Sequence, residues 1–362
     1  MIRLENINKT YPGSAHAAIR GLNLMINRGE FCTFVGPSGC GKTTILRMIN
    51  QLDKPDSGNV YVQGVNIAQA DIIQVRRSIG FVMQSAALFP HRTVAQNIAT
   101  VPRLLGWSKA QIRARIDELV DLMSLDRHLL TRYPHQLSGG QQGRVAIARA
   151  LAADPPILLM DEPFAAIDPV VRQRLQDELL LLQQRLHKTI VLVTHDINEA
   201  IRLGDKIAIF EEGGALAQFA SPDHLLAHPA SEFVRRFIGP EPNLQRLGMI
   251  QVGQLPRHDV ALIDESLAPI ASPHPVVNSP LRLVLDSQQR PLHWFDPDKR
   301  LNLPLAPPLA AANSLRFAYS ALLDAPGGVL VHVDADGQYQ GSISHTLLRH
   351  VLDGHVEIRR YD

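Results

Sequence analysis

Three stretches of the chain are apolar almost without interruption: EFCTFVG (30–36), PPILLMDE (155–162) and KTIVLVTH (188–195). Short runs of this kind, rich in β-branched residues, suit strands buried on both faces of a mostly parallel sheet. Helical spacing separates them. A long helical segment from Val170 to His187 precedes the third run, and the first leads into a helix from Thr43 to Ile49. The first two thirds of the chain therefore reads as α/β.

Between Gln84, which ends the strand-like IGFVMQ, and Ala153 the pattern becomes mostly helical. Ser108 and Gln111 have the spacing of a capping box, and Ile112, Ile116, Leu119, Val120 and Met123 then fall on one face. A helical insert over about residues 85–153 is expected. A second shift comes at Phe237-Ile238-Gly239-Pro240-Glu241-Pro242, after which prolines become frequent, so domains at 1–240 and 241–362 are expected. In the second, LRLVLDSQQRPLHWF (281–295) and VLVHVDADGQYQGSI (329–343) both read strand, turn, strand, with Asp286 and Asp334 offset by 48 residues. This weak repeat predicts two small α+β units, at about 248–300 and 303–362.

Charge excludes more than it suggests. The 362 residues carry 36 Lys and Arg against 35 Asp and Glu, a formal charge of +1, which gives no electrostatic case for a nucleic-acid partner. The two cysteines, Cys32 and Cys40, offer no disulfide framework, because Cys40 lies inside a glycine loop. MIRLENINKTYPG lacks the pattern of a signal peptide, and no apolar run approaches the ~18 residues of a membrane span. A cytosolic protein is expected; any work at a membrane is done from the side.

The loop is GPSGCGKTT, comprising Gly36, Pro37, Ser38, Gly39, Cys40, Gly41, Lys42, Thr43 and Thr44. It fits G-x-x-x-x-G-K-[ST] and lies between a predicted strand and a helix. Its glycines let backbone N–H groups wrap a phosphate chain, Lys42 reaches the β- and γ-phosphates, and Thr43 offers a hydroxyl to Mg²⁺. ILLMDEP ends another strand with two acids: Asp161 is placed to hold Mg²⁺, Glu162 to polarise an attacking water. His195 closes a third strand, either as a hydrogen-bonded core residue or as a donor to the γ-phosphate. Gln84 reads as a polar strand end or as a hinge touching Mg²⁺ or the water. Tyr11 reads as packing or as a stacking face for adenine.

A second glycine pair opens the helix in LSGGQQGRVAIARAL (137–151). Ser138 can cap it, while Gly139 and Gly140 let the backbone approach a phosphate. One triphosphate is already crowded by the first loop. A second loop serving another ATP implies two chains about a two-fold axis, each supplying half of each site.

Together Tyr11, GPSGCGKTT, Gln84, LSGGQ, ILLMDEP, Asp168 of AAIDP and His195 resemble the ATP-binding subunit of ABC transporters, over residues 1 to about 240. The resemblance implies a P-loop α/β fold with a RecA-like core and a helical subdomain, and a head-to-tail homodimer that sandwiches two MgATP. It implies adenine stacking by Tyr11, phosphate and Mg²⁺ binding by Gly36 to Thr44, a general base at Glu162 and a γ-phosphate contact from His195. Gln84 would transmit to the helical insert, Asp168 would couple the two sites, and Ser138 to Gln141 would close on the opposite subunit's ATP.

LFPHRTVAQNI, RYPHQLSGGQ and DEPFAAIDP are similar to importer subunits. EFVRRFIG followed by LQRLGMIQVGQL resembles the quaternary-amine branch, which imports glycine betaine, choline or related osmoprotectants and often ends in paired CBS modules. This implies membrane permease subunits, an extracytoplasmic solute-binding protein and a peripheral place on the cytoplasmic face of the membrane. The tail, a smaller CBS-like α+β domain, would regulate or dimerise. An importer for another solute and a soluble ABC-type ATPase are the alternatives. The departures are Gly143, where the family usually has a bulkier polar residue; Ala165 and Ile167, in place of glycine and leucine; and Leu347, where a ribose-binding acid is expected. The catalytic set is complete, so activity is expected.

Overall fold

The computed structural model describes residues 1–13, 16–165, 167–277 and 279–358. It divides into two units, Met1–Ile238 and Gly239–Asp362. The chain begins with two antiparallel strands, β1 (Ile2–Lys9) and β2 (Ile19–Ile26), whose Ile2, Leu4, Ile7, Ile19 and Leu22 are buried. The strand β3 (Phe31–Val35) leads through the glycine loop into α1 (Lys42–Ile49). Then β4 (Ser57–Val62) and β5 (Val65–Asn66) return beside β1, completing a four-stranded sheet that the continuous apolar runs do not announce.

The helix α2 (Ile72–Arg77) precedes β6 (Ile79–Val82), which ends just before Gln84. Next come α3 (Val94–Ile98), α4 (Thr100–Leu104), α5 (Lys109–Leu122) and α6 (Gly139–Leu151), the helices of the insert. Ser108 and Gln111 form a capping box on α5, with Ile112, Leu119, Val120 and Met123 buried. The remaining elements of this unit are β7 (Ile157–Asp161), α7 (Pro169–Leu186), β8 (Thr189–Val193), α8 (Ile197–Leu203), β9 (Lys206–Phe210), β10 (Leu216–Ala220), α9 (Pro222–Ala227) and α10 (Glu232–Ile238).

The second sheet runs β10-β9-β3-β8-β7-β6, parallel except for the edge strand β10. Its side chains alternate between two cores, which explains the unbroken apolar runs. Phe31, Leu158, Met160, Ile190 and Leu192 pack with the helices of the insert and α7, whereas Cys32, Phe34, Leu159, Val191 and Val193 pack with α1 and the four-stranded sheet. Because the strands are parallel, the ends of β3, β6, β7 and β8 emerge along one edge. Sites gather at such carboxyl ends.

In the second unit α11 (Pro242–Met249) precedes β11 (Leu262–Asp264), β12 (Pro269–Ile270), β13 (Arg282–Leu285), β14 (Pro291–Asp296) and β15 (Leu301–Leu303), one sheet in the order β12-β11-β13-β14-β15. Then α12 (Leu315–Leu322), the hairpin of β16 (Val329–Val333) and β17 (Tyr339–Ser344), and α13 (His345–Leu352) follow. Both expected hairpins form, yet the two halves differ. Among the described residues 250–303 contain no α-helix, only a single 3₁₀ turn at Val252–Gln254. The first half is thus not an α+β unit like the second. The physical reason lies in the second hairpin: Val329, Val331 and Tyr339 pack on the five-stranded sheet while Leu330 and Ile343 face α11, α12 and α13, so a strand pair covers the sheet where helices were expected.

The 48-residue repeat is real at its turns. Asp286 Oδ1 accepts from the amides of Gln288 and Arg290, and Asp334 Oδ1 from those of Asp336 and Gln338. Asp264 does the same for Ser266 and Ala268, a third copy the sequence reading missed. Short acidic side chains that replace backbone partners in this way favour tight turns.

Candidate nucleotide site

The loop after β3 needs glycine at two points. A Cβ on Gly36, whose φ is +150°, would lie 2.3 Å from the Phe210 carbonyl, and one on Gly41, at +92°, 2.3 Å from the Ala18 carbonyl. Glycine permits both. Gly41 also starts α1 with no side-chain cap, which leaves the helix amides open toward the loop. Lys42 is 6% exposed, and its ammonium donates to the carbonyls of Gly36 (2.7 Å) and Pro37 (2.8 Å) and contacts Cys40 Sγ at 3.5 Å. Burial pushes the Cys40 thiol up, and the neighbouring Lys42 draws it part of the way back.

At the end of β7, Asp161 Oδ1 accepts a 3.0 Å hydrogen bond from the Thr43 hydroxyl. Burial raises this carboxyl, and Glu162 adds to the effect. A hydroxyl and a carboxylate oxygen in direct contact are hard donors of the sort that bind Mg²⁺ together with water and phosphate, so the pair fits that ion. Glu162 has φ +45°, in the left-handed region that a non-glycine residue rarely occupies. Its amide donates to the Val193 carbonyl at 3.0 Å, which ties the turn to β8.

That turn sets the Glu162 carboxylate between two other residues. Gln84 Nε2 donates to its Oε2 at 3.3 Å, and His195 Nδ1 lies 3.3 Å from the same oxygen. A carboxylate only accepts, so this contact is a hydrogen bond in the tautomer with the proton on Nδ1. Tyr11 hydroxyl donates to Asp53 Oδ2 at 3.0 Å and sits 3.3 Å from Thr44 Oγ1, and the residue is 38% exposed.

One cavity of 840 Å³ takes in Tyr11, Ser38, Gly39, Gly41, Lys42, Thr43, Thr44, Gln84, Glu162 and His195. Gly36, Pro37 and Cys40 lie behind it and hold Lys42; Asp161 is reached through Thr43. The size suits a nucleotide. Sequence reasoning missed His16, Ala17, Ala18, Glu212 and Gly213, which also line it. They come from the β1–β2 and β9–β10 turns and carry no motif; only the glycine pair at 213–214 hinted at a turn.

Ser138, Gly139, Gly140, Gln141 and Asp168 are not brought to this cavity. Ser138 Oγ accepts from the Gln141 amide at 3.3 Å while Gln141 Oε1 accepts from the Ser138 amide at 3.0 Å, a capping box on α6. Asp168 caps α7, accepting from the Val170 amide at 3.0 Å. Gly143 faces Ile167: a Cβ there would meet its Cδ1 at 3.5 Å, ordinary contact, so these two departures are neighbours in space. Leu347 is buried in the helical core of the second unit.

A family model described as ABC transporter matches residues 19–165. The osmoprotectant import ATP-binding protein OsmV of Salmonella typhimurium is 41% identical, over 97% of this chain and 96% of its own length. The choline transport ATP-binding protein OpuBA of Bacillus subtilis is 51% identical over 68% of this chain and 64% of its own. Among solved structures, the dimeric ATP-binding cassette MJ0796 in a post-hydrolysis state with ADP and Pi matches at TM-score 0.56 and 38% identity, covering 61% of this chain and 98% of that one.

Proposed function

The chain belongs to the ABC transporter family of ATP-binding proteins, and we propose that it hydrolyses MgATP as a homodimer to drive import of a quaternary-amine or related osmoprotectant. The observation that carries the catalytic part is the Glu162 carboxylate held between Gln84 and His195 beside the phosphate loop. The osmoprotectant and choline transport carried out by OsmV and OpuBA supports the solute class.

In this reading the loop amides and Lys42 bind the phosphates, and the Tyr11 ring lies against the base. Thr43, Asp161 and Gln84 would hold Mg²⁺, which would supply neutralisation of the phosphate charge. Glu162 takes a proton from the attacking water as its oxygen bonds to the γ-phosphorus and the bond to ADP breaks. His195 orients the γ-phosphate. Ser138 to Gln141 lie away from their own chain's cavity and carry their role at the second subunit's ATP, with Asp168 coupling the two sites. Closure would drive a membrane permease fed by an extracytoplasmic binding protein, with this subunit on the cytoplasmic face. Among the described residues no helix is long and apolar enough to cross a membrane. The tail acts as a CBS-like regulatory or dimerising domain, with only its second half carrying the flanking helices.

Reconstitution with a quaternary-amine permease and its solute-binding protein tests the whole. Uptake of radiolabelled glycine betaine or choline that requires ATP and stops on chelation of Mg²⁺ is expected. Hydrolysis without uptake of either would remove the solute assignment.

A further inference from the structure

Beneath the strand end that carries His195 lies a buried polar cluster that no step above uses. Glu199, in the first turn of α8, is 8% exposed. Its Oε2 accepts a 2.6 Å hydrogen bond from the Thr194 hydroxyl, its Oε1 accepts one of 3.2 Å from Gln176 Nε2 of α7, and Arg172 Nη1 stands 3.7 Å from that same oxygen. Each end of the cluster grips backbone. Arg172 Nη2 donates at 3.0 Å to the carbonyl of Ile167, the residue before Asp168. Thr194, the residue before His195, is 2% exposed, and its hydroxyl accepts the Asp196 amide at 3.0 Å.

The cluster is a poor device for stability. An ion pair at 3.7 Å whose arginine side chain stays 29% exposed gains little over apolar packing, and Arg172 Nε is buried with no partner among the described residues. Burial raises the Glu199 carboxyl, while Thr194 and Arg172 draw it down. What the contacts do fix is the relation between two chain segments from different elements, the end of β8 that carries His195 to the cavity and the Asp168 loop at the start of α7, which lies outside it. We propose that Glu199 and Arg172 are positioning residues that lock the Asp168 loop and the His195 strand end into one body, so that neither shifts without the other. The inference rests on the ATPase reading of His195 and Asp168.

The test uses purified full-length chain carrying Arg172→Met, Glu199→Gln, or both, with melting temperature, kcat and the KM for ATP measured for each. The single Arg172→Met variant is expected to lose about tenfold or more in kcat with the KM for ATP within about twofold, as misplacement of an otherwise intact site does. The double variant buries neither charge, so its melting temperature returns toward the parent while kcat stays low, because the Ile167 carbonyl is still unheld. Recovery of kcat together with melting temperature assigns the cluster to stability alone and overturns the proposal. The imidazole resonances of His195 in labelled protein give a second readout: they shift in Arg172→Met, which does not touch the ring, and unchanged resonances also overturn it. A parent chain without Mg²⁺-dependent hydrolysis overturns the ATPase reading and this inference with it. An active parent with unaffected variants overturns this inference only.

Discussion

The two glycine-led helices of the first unit finish their N-termini in opposite ways. Gly41 begins α1 in a left-handed conformation with no side-chain cap, and Lys42 folds over the carbonyls of the loop before it. Ser138 begins α6 in an extended conformation, and its exchange of hydrogen bonds with Gln141 satisfies amides that α1 leaves open. A helix N-terminus with open amides is an anion site in its own chain. One that caps itself is a stable surface first and part of a site only when something else is brought to it. Gly140 even has a reason inside the chain, since a Cβ there would come 2.7 Å from Val171 Cγ1 of α7.

The sharpest way to break this comparison is to remove the chemistry that only the first helix serves. Glu162→Gln keeps the size of the side chain between Gln84 and His195 but cannot take a proton, so kcat falls by about 10²- to 10⁴-fold while ATP binding and ATP-driven dimerisation persist. Hydrolysis at the parental rate would take the general-base role away from Glu162. Next in size is Lys42→Ala, which removes charge-assisted hydrogen bonds worth about 1.5–3 kcal/mol and so weakens MgATP binding by roughly 10- to 150-fold in a calorimetric titration. Parental affinity would mean that the loop amides alone hold the phosphates.

The partner test at α6 is smaller and different in kind. Ser138→Ala loses the cap and costs about 1 kcal/mol of stability in denaturant titration, with nucleotide binding by the single chain unaltered and hydrolysis by the dimer reduced. A loss of single-chain ATP affinity equal to that of Lys42→Ala would erase the distinction between the two starts. Smallest is Gly143→Ala, which adds up to about 1 kcal/mol of helix stability and fits because its Cβ has 3.5 Å to Ile167 Cδ1. A drop in melting temperature would show that the void beside Ile167 is needed. Gly143→Gln, which adds a longer polar side chain beside Ile167, then reports on ATP-driven dimerisation separately from helix propensity.

Much of the first unit was legible because continuous apolar runs and single-turn motifs are local signals. EFCTFVG, PPILLMDE and KTIVLVTH became strands buried on both faces, and the glycine loop, the acid pair and His195 are each adjacent to one of them. The four-stranded sheet stayed hidden, since β1 and β4 alternate and bury only one face. In the second unit the hairpins were legible from Asp286 and Asp334, whereas the missing helices of 250–303 were not. What covers a sheet depends on distant residues, here those of β16 and β17.

By itself the sequence determined which groups the protein has for its chemistry: a glycine loop, a hydroxyl and carboxylate suited to Mg²⁺, a second carboxylate at Glu162, and a second glycine-led helix. Those choices are local, set by backbone freedom at glycine and by the spacing of side chains on one strand end or one helix turn. Only the tertiary structure decided which of them meet. Parallel pairing of β6, β7, β8 and β3 brings Gln84, Glu162 and His195 within 3.3 Å contacts beside Lys42, and it leaves Ser138 outside. It also placed Glu199 and Arg172 beneath that edge, where contacts between residues more than 20 positions apart have no signature that a single sequence can carry.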